Sequence, residues 1–492
     1  MADGKVKNRW LVVLGAILIQ LCLGAIYAWG LFTPTLQARR SQLAVFYSPE
    51  LLGISEGRQQ ELIEQYKEHE KKLEALTEEI NGADTSETTR QERVAEFEEL
   101  EAGFVDSTGI SETVWKDHYF GFTATETSLI FSAGLFTFAL VMIAAGRWQD
   151  KVGPRKVALV GGIVLGLGYI LAAFTGPNFW AMFTLIGIVG GAGIGLGYVC
   201  PIAACVKWFP DMKGFITGMA VAGFGAGAFI FVKLGDTWPN LLATVGVNQT
   251  FLIFGIIFFV AVVLGALLLS NPPAGWKPAG WVPPAPKQGG SPTAAVDLTQ
   301  GECVCTPQFW MIWLAFVFSA GCGLMVIKCL KAFGQLEGGL SAADAGTALG
   351  LLALFNGLGR IAWGTVSQKL TARKALAVMT FLQAGMMFML LGMGGSVTTL
   401  AIAACWIGFN FGGNFALFPL LTAENFGTKN LGANYGAVFT AYGIGGILGP
   451  MLAGGVWDTL HSFQWAFIPA GVACLVATGM ALLLHPPKHH PA

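Results

Sequence analysis

The chain reads Gly146-Arg-Trp-Gln-Asp-Lys-Val-Gly-Pro-Arg-Lys156 at one point and Gly364-Thr-Val-Ser-Gln-Lys-Leu-Thr-Ala-Arg-Lys374 at another. The two stretches align without gaps, and Gly146, Lys151, Arg155 and Lys156 recur at an offset of 218 residues. A fixed offset between matching segments indicates an internal repeat. The motif therefore predicts a fold built from two related halves.

The composition indicates a membrane protein with many spans. Hydrophobic residues make up 54% of the 492 residues, glycine contributes 66, and the mean hydropathy is +0.60. An α-helix needs roughly 20 apolar residues to cross a bilayer. Twelve windows of that length predict spans at 11–33, 124–145, 157–175, 180–206, 215–235, 248–270, 308–332, 343–367, 373–392, 397–421, 432–456 and 462–484. The predicted fold is an all-α membrane protein with 12 transmembrane helices in two pseudo-symmetric six-helix bundles.

A hydrophilic stretch interrupts this pattern between spans 1 and 2. Arg9-Trp10-Leu11 resembles Phe309-Trp310-Met311 at an offset of 300 residues, 82 more than the offset of the repeated motif. The stretch 35–123, with 19 Asp and Glu against 9 Lys and Arg, accounts for the difference. Apolar residues three and four apart predict an extracytoplasmic helical hairpin with a turn near 81–84. Its role stays open between a solvated cap, self-association and binding of a protein partner.

The basic residues of the loops predict the orientation. Outside 35–123, 16 of the 20 Lys and Arg lie at the termini or in the loops after even-numbered spans. Because positive loops stay inside, both termini are expected to be cytoplasmic, in a cell (inner) membrane. The predicted domains are an N-terminal bundle at 1–34 and 124–270, the insertion at 35–123, a cytoplasmic linker at 271–307, a C-terminal bundle at 308–485 and a cytoplasmic tail at 486–492.

Four cations remain outside those loops: Lys233, Lys328, Lys331 and Arg360. Arg360 is the only ionisable residue of the apolar stretch 349–364. A guanidinium stays charged, and at the centre of a bilayer it costs roughly 2.5–3.5 kcal/mol on insertion scales. Its planar fork fits a carboxylate, and Asn356 lies one turn earlier on the same helix face. Arg360 is therefore predicted to bind an anion, the alternative being a structural arginine that holds backbone carbonyls.

The repeated motif resembles the loop between spans 2 and 3 of the major facilitator superfamily. The pattern is Gly146-x-x-x-Asp150-x-x-Gly153-x-Arg155-Lys156. The resemblance implies that Asp150, with Arg147 or Arg155, latches the cytoplasmic side shut; charges that only set the topology are the alternative. The second copy has Gln368 in place of Asp150, so a latch there is expected to be weaker.

A narrower resemblance is to the oxalate/formate antiporter family and, more distantly, to monocarboxylate transporters. It rests on Phe355-Asn-Gly-x-Gly-Arg360-x-x-Trp363-Gly364, Lys207-Trp-Phe-Pro-Asp-x-Lys-Gly214, Thr306-Pro-Gln-Phe-Trp310, Phe415-Ala-Leu-Phe-Pro419 and Asn434-Tyr-Gly436. It implies that Arg360 clamps the substrate, within aromatic walls formed by Tyr27, Tyr198, Phe224, Phe411, Phe415, Phe439 and Tyr442. The oxalate carriers of that family have a lysine where this chain has Tyr442. One cation and a hydroxyl suit a monocarboxylate, unless Lys328 supplies a displaced second cation.

The sequence thus predicts a secondary active transporter of small carboxylates, such as formate, lactate or pyruvate, that works by alternating access. It predicts no enzyme, cofactor, metal site or nucleic-acid partner. Two alternatives stay open: an oxalate/formate-type dicarboxylate exchanger, and a non-transporting receptor with a carrier fold that signals through 35–123.

Overall fold

The computed structural model describes residues 8–81, 87–236, 239–273, 275–278, 280–281, 297–460 and 462–485. Some of the sequence-based expectations fall elsewhere. The tail at 486–492, the first seven residues, the hairpin turn at 82–84 and residues 274, 279 and 282–296 of the linker lie outside the described residues.

Within the described residues the chain forms helices and no strand. The first half begins with α1 Arg9–Leu23. The insertion follows, with the helices α2 Glu56–Asn81, α3 Glu87–Ser107 and α4 Glu112–His118. The remaining helices of the first half are α5 Ala124–Val152, α6 Pro154–Ala172, α7 Phe179–Trp208, α8 Lys213–Asp236 and α9 Leu241–Leu268. The second half contains the short α10 Gln300–Val304, then α11 Pro307–Ala332, α12 Ala342–Leu370, α13 Ala372–Leu390, α14 Val397–Phe426, α15 Leu431–Leu460 and α16 Gln464–Leu483.

Every predicted span coincides with a long helix, and the all-α membrane fold is confirmed. Eleven helical segments of the described chain are long and apolar enough to cross a bilayer. The remaining predicted span is α13, where Arg373 and Lys374 in the first turn lower the mean hydropathy. The first span is longer than α1 alone, because a 3₁₀ turn at Gly24–Leu31 and a short helix at Thr33–Gln37 continue it.

The two copies of the repeated motif form the same sharp turn between helices. Gly153 joins α5 to α6 with φ of 90°, and Thr371 joins α12 to α13 with φ of 79°. A positive φ suits glycine, whereas threonine adopts it at a cost. The side chain of Thr371 accepts a hydrogen bond from the backbone N–H of Lys374, which caps α13. The end of the molecule that carries these two turns is called the motif end below.

The two halves pack tightly at the motif end through glycines. On α8 and α12, a Cβ added at Gly214 or Gly218 would collide with the backbone of the facing helix. On α5 and α15, the same holds for Gly146 and Gly432. Small residues let backbones of neighbouring membrane helices approach in this way. The repeated motif thus lies where the halves are closest.

Away from the motif end, the same helix faces have open space. On the α12 face that includes Gly364, α8 is still close at Gly357, because a Cβ added at Gly225 would lie 3.2 Å from the Cα of Gly357. In contrast, nothing lies within 4 Å of a Cβ added at Gly350 or Gly346. On α15 the same is true of Gly454. The described halves are therefore closed against each other at the motif end and separated toward the opposite end.

The insertion is helical, as predicted, and it lies against the first half at the end opposite the motif. Its helices α2 and α3 pack on each other, and His69 stacks on Phe104 with ring centroids 4.4 Å apart. The backbone N–H of Ser48 donates to the carbonyl of Ala243 at 2.8 Å, which joins the insertion to α9. The insertion therefore rests on the first half.

Candidate substrate-binding site

Arg360 lies between the two halves with its side chain fully buried, at 0% exposure. Its Nε donates to Oδ1 of Asn356 on the same helix at 3.0 Å, and its Nη1 donates to the carbonyl of Val221 on α8 at 2.8 Å. Its Nη2 is buried and has no hydrogen-bond partner among the described residues. No Asp or Glu of the described chain forms an ion pair with it. The guanidinium is thus oriented by neutral groups, and one side of its fork remains available.

Aromatic rings surround this guanidinium. The Arg360 Cζ atom lies 4.3 Å from the ring centroid of Phe415 and 5.5 Å from that of Phe224. Such contacts are favourable for a desolvated cation because the ring face is electron-rich. One ring comes from α14 and the other from α8, so both halves contribute to the wall. A small anion at Nη2 would be enclosed by apolar rings.

The seven predicted aromatic residues form one continuous aromatic cluster. Ring contacts of 5.2 to 5.5 Å link Tyr27 to Phe224, Tyr198 to Phe224 and Phe439, Tyr442 to Phe415 and Phe439, and Phe411 to Phe415. Most of these contacts are edge-to-face, which is a preferred arrangement of aromatic pairs. The structure thus brings together the residues that the family resemblance pointed to.

A hydrogen bond between Tyr27 and Tyr442 crosses from one half to the other within this cluster. Tyr27 lies in the 3₁₀ turn that follows α1, and Tyr442 lies on α15. Both hydroxyls, and those of Tyr198 and Tyr435, lie within electrostatic range of Arg360. The fixed cation therefore has phenol groups from both halves in its surroundings.

Lys328 makes no contact with this cluster among the described residues, and its use as a second cation stays a prediction. Its side chain on α11 is exposed, as is that of Lys331. Lys233 lies over the ring of Phe229 at 5.9 Å, on the exposed outer part of α8. In the described part of the chain, no Lys or Arg other than Arg360 stacks on the rings of the aromatic cluster.

Asp150 connects the halves at the motif end. Its Oδ2 accepts a hydrogen bond from the backbone N–H of Ala433, in the first turn of α15, at 2.9 Å. A carboxylate at a helix N-terminus is stabilised by the unpaired N–H groups and the helix dipole. Nζ of Lys207 lies 3.7 Å from Oδ1 of the same carboxylate. This arrangement has the form of the latch that the motif implies.

The two arginines of the motif differ in what they contact. Nε of Arg147 donates to Oε1 of Gln300, and Nε2 of Gln300 donates to the carbonyl of Ala433 at 2.8 Å. Arg147 is thereby connected to α15 through the short helix α10. Nε of Arg155 instead donates to the carbonyl of Leu269, within its own half. Of these two, Arg147 is the one placed at the contact between the halves.

The second copy of the motif makes the opposite kind of bond at the equivalent position. Nε2 of Gln368 donates to the carbonyl of Met212, directly before α8, at 3.3 Å. This is a neutral bond, and it is longer than the charged bond of Asp150. Charge-assisted hydrogen bonds are stronger than neutral ones. The contact at the second copy is therefore the weaker of the two.

Two residues of these sites were not identified from the sequence. Tyr435 lies in the quoted motif Asn434-Tyr-Gly436, and its spacing of four and then three residues to Phe439 and Tyr442 places all three on one face of α15. That spacing could have revealed it. Gln300 lies in the linker, where no periodic pattern singles it out. Among the described residues, no three His, Cys, Asp or Glu side chains lie together as a metal site would require.

Known proteins share this sequence pattern and architecture. The sequence model of the Major Facilitator Superfamily matches residues 107–450. The MFS-type transporter YhjX of Escherichia coli (strain K12) is 33% identical over 330 residues, which cover 66% of this chain and 78% of that protein. The oxalate:formate antiporter of Oxalobacter formigenes is 29% identical over 353 residues, covering 70% of this chain and 79% of the antiporter.

A solved structure supports the same fold. The human organic anion transporter MFSD10 superimposes with a TM-score of 0.60 at 15% sequence identity, covering 96% of this chain and all of that one. At that identity the likeness concerns the fold alone. The matched sequence model spans well over half of the chain and includes the repeated motif. The chain therefore belongs to the Major Facilitator Superfamily, and it is a multi-pass membrane transporter rather than an enzyme.

Proposed function

We propose that this transporter carries small carboxylate anions, and that its substrates are monocarboxylates such as formate, lactate or pyruvate. The observation that carries the proposal is the buried Nη2 of Arg360, which has no protein partner. A buried donor left unpaired on a charged group is costly, so a ligand that pairs with it binds favourably. A carboxylate oxygen is the acceptor that fits a guanidinium best.

The charge of the site favours a monoanion. Arg360 is the one cation that stacks on the described aromatic cluster, and its neighbours are phenols and phenylalanines. A dianion in a site of low dielectric needs a second positive charge, because burying an unpaired charge is expensive. Tyr442 offers a hydroxyl instead. The similarity to the oxalate:formate antiporter supports carboxylates as the substrate class. The presence of Tyr442 where the oxalate carriers are expected to have a lysine supports a substrate with a single negative charge.

The packing of the halves supports alternating access. The described structure is closed at the motif end by Asp150 and the facing glycines, and it is separated at the other end. In our proposal the motif end and both termini are cytoplasmic, in the cell membrane, so the open space between the halves faces the outside while Arg360 itself is buried. Rocking of the two halves about Arg360 then exposes the anion to each side in turn.

The proposal is tested by transport into proteoliposomes with labelled formate, lactate and pyruvate. Arg360→Ala is expected to lower uptake about 100-fold, since it removes a charge-assisted pair. Arg360→Lys is expected to lower it at least about 10-fold, because an ammonium group lacks the planar fork. Arg373→Lys is the matched control. Arg373 also donates to a backbone carbonyl, that of Leu484, but it lies at the start of α13, at the motif end and outside the aromatic cluster.

The outcome that contradicts the proposal is clear. If Arg360→Ala is folded and takes up these acids at the rate of the unaltered protein, Arg360 does not bind the substrate. A thermal-shift screen of short mono- and dicarboxylates gives an independent reading, because a ligand of the native state raises its apparent stability.

A further inference from the structure

Two phenol groups at the contact between the halves are buried without a satisfactory partner. Tyr198 on α7 belongs to the first half and is 1% exposed, and Tyr435 on α15 belongs to the second half and is 0% exposed. Their hydroxyls lie close enough to interact with each other, but not in the geometry of a normal hydrogen bond. Neither makes a hydrogen bond of normal geometry with any described residue. Buried hydroxyls in proteins are nearly always hydrogen-bonded, so we expect a ligand to form hydrogen bonds with this pair.

The pair lies on the route from Arg360 to the motif end. Tyr435 is seven residues closer to the start of α15 than Tyr442, which corresponds to about 10 Å along a helix. Both hydroxyls remain within electrostatic range of Arg360. Phe439 connects the two levels, with its ring 5.8 Å from that of Tyr435 and 5.2 Å from that of Tyr442. An anion that moves from Arg360 toward the motif end meets Tyr198 and Tyr435 next.

The two tyrosine pairs of the site differ in their state. In the hydrogen bond between Tyr27 and Tyr442 one hydroxyl donates and the other accepts, so one O–H group of this pair is committed. The hydroxyls of Tyr198 and Tyr435 interact only with each other, and without normal hydrogen-bond geometry, so both O–H groups can turn to donate to an anion. Each pair takes one tyrosine from each half. Separation of the halves at the motif end would therefore expose two donors that are now enclosed.

We propose that Tyr198 and Tyr435 form a second anion-binding station, which receives the carboxylate after it leaves Arg360 and before it leaves the protein at the motif end. The inference rests on the proposed function and extends it. Two neutral donors hold an anion less tightly than a guanidinium does. A path needs stations that bind strongly enough to admit the ion and weakly enough to release it. The phenol pair supplies the weaker station.

The test compares binding with turnover in Tyr198→Phe, Tyr435→Phe and the double variant. Phenylalanine keeps the ring packing and removes the hydroxyl. The dissociation constant for the best carboxylate is expected to stay within about 2-fold, because Arg360 still binds it. Turnover in exchange across proteoliposomes is expected to fall about 10-fold in each single variant, as for one lost hydrogen bond to a charge. The double variant should be no more than about 2-fold slower than the slower single one, since both hydroxyls serve one station.

Tyr169→Phe is the matched control. Tyr169 is another buried tyrosine, on α6, and its ring packs on Phe258 with centroids 5.0 Å apart. Removal of the Tyr169 hydroxyl should change neither the affinity for the carboxylate nor the turnover of exchange. Melting temperatures of all variants establish that each is folded.

Three results separate the possible failures. Turnover of Tyr198→Phe and Tyr435→Phe equal to that of the unaltered protein overturns the second station and leaves the role of Arg360 intact. An equal loss of affinity and turnover also overturns it, because the hydroxyls then belong to the Arg360 site. Absence of carboxylate transport by the unaltered protein overturns the proposed function, and this inference with it.

Discussion

At the scale of single residues, the orientation of one guanidinium decides the chemistry of the site. Asn356 and the carbonyl of Val221 hold two edges of Arg360, and neither carries a charge. The guanidinium therefore keeps its full positive charge for a ligand. Had an acidic side chain taken the place of Asn356, the charge would have been neutralised inside the protein. This difference leads to a direct test.

Asn356→Asp is expected to abolish anion binding, although the side chain changes by one atom. The new carboxylate would lie about 3 Å from Nε of Arg360 and would compete with the substrate for its charge. Asn356→Ala should weaken binding only about 10-fold, because it removes a positioning hydrogen bond and leaves the charge. Calorimetric titration with a monocarboxylate measures both. Equal affinities of the two variants would contradict the prediction.

Tyr442→Lys is expected to shift selectivity toward dicarboxylates. The substitution adds a second cation to a wall of the aromatic cluster, beside Phe415 and Phe439. We expect the ratio of oxalate to formate affinity to rise at least about 10-fold, through one additional charge pair. Tyr442→Phe is the control, since it removes the hydroxyl without adding charge. An unchanged ratio in Tyr442→Lys would show that this position does not contact the substrate.

At the scale of helices, the short helix α10 takes part in the contact between the halves. Gln300 contacts Arg147 of the first half and Ala433 of the second. The segment before it is also attached to the second half, because Nδ2 of Asn430 and Nδ2 of Asn434 both donate to the carbonyl of Leu298. The linker thus does more than join the bundles, and its loosening should favour separation of the halves.

Gln300→Ala is expected to expose Cys303. The Cys303 thiol is fully buried on α10, and burial raises its pKa to about 12, so it should react slowly. Loss of the hydrogen bonds of Gln300 should raise its rate of maleimide labelling about fivefold, in line with roughly 1 kcal/mol. Gly301→Ala is the control on the same helix, because an added Cβ there meets nothing within 4 Å. Exposed Cys305 serves as an internal reference. Identical labelling of Cys303 in both variants would exclude α10 from the latch.

Helix positions followed from the sequence more readily than the contacts between them. Apolar windows predicted every span, because a bilayer demands a long apolar helix whatever the tertiary structure. The pairing of Arg147 with α10, and of Arg155 with Leu269, depends on how the helices meet. That information lies in three dimensions and not in local spacing. The aromatic cluster was anticipated through family resemblance.

At the scale of the whole molecule, the insertion begins and ends at nearly the same point. The backbone N–H of Phe122 donates to the carbonyl of Leu36 at 2.8 Å. The insertion is attached to α9 by Ser48 and by the carbonyl of Asp117, which accepts from Nδ2 of Asn248 at 3.2 Å. The described contacts of the insertion with the spans are therefore confined to the first half. The second half can move without disturbing it.

Replacement of residues 39–119 by a short Gly-Ser linker is expected to preserve transport. Because Leu36 and Phe122 are hydrogen-bonded neighbours, a short loop can join them without displacing α1 or α5. Uptake of the best monocarboxylate in proteoliposomes should stay within about 3-fold of that of the full chain, because the Arg360 site is intact. Folded protein with no uptake would favour the view that the insertion is essential to function, as in a receptor.

Docking of the insertion is expected to weaken as the pH falls below about 6.5. His118 lies against Gly246 of α9, and burial lowers its pKa below the ordinary value of 6.5, partly offset by Asp117. The unfolded segment therefore binds a proton more readily than the docked one, and its stability falls as the pH drops from 6.5 toward the lowered pKa. Above 6.5 the stability is fully present.

Hydrogen exchange at 112–118 measures this effect at pH 7.5 and pH 5.5, with rates corrected for intrinsic exchange. We expect lower protection at the acidic pH in the unaltered protein and a smaller difference in His118→Gln, which cannot be protonated in this range. The insertion also contains His69, which lies 3.3 Å from Glu101, so exchange around His69 is followed separately. Equal protection at both pH values would contradict the role of His118.

The bond of Asp150 to a peptide N–H has an evolutionary consequence. The carboxylate accepts a hydrogen bond from the backbone N–H at position 433, and every amino acid except proline has a backbone N–H. Related sequences are thus free to vary the side chain at this position, within the small volume that Ala433 occupies, provided that they keep the acid. Covariation between positions 150 and 433 should accordingly be weak, and a saturation library should reject proline and bulky side chains at 433 while accepting glycine and serine.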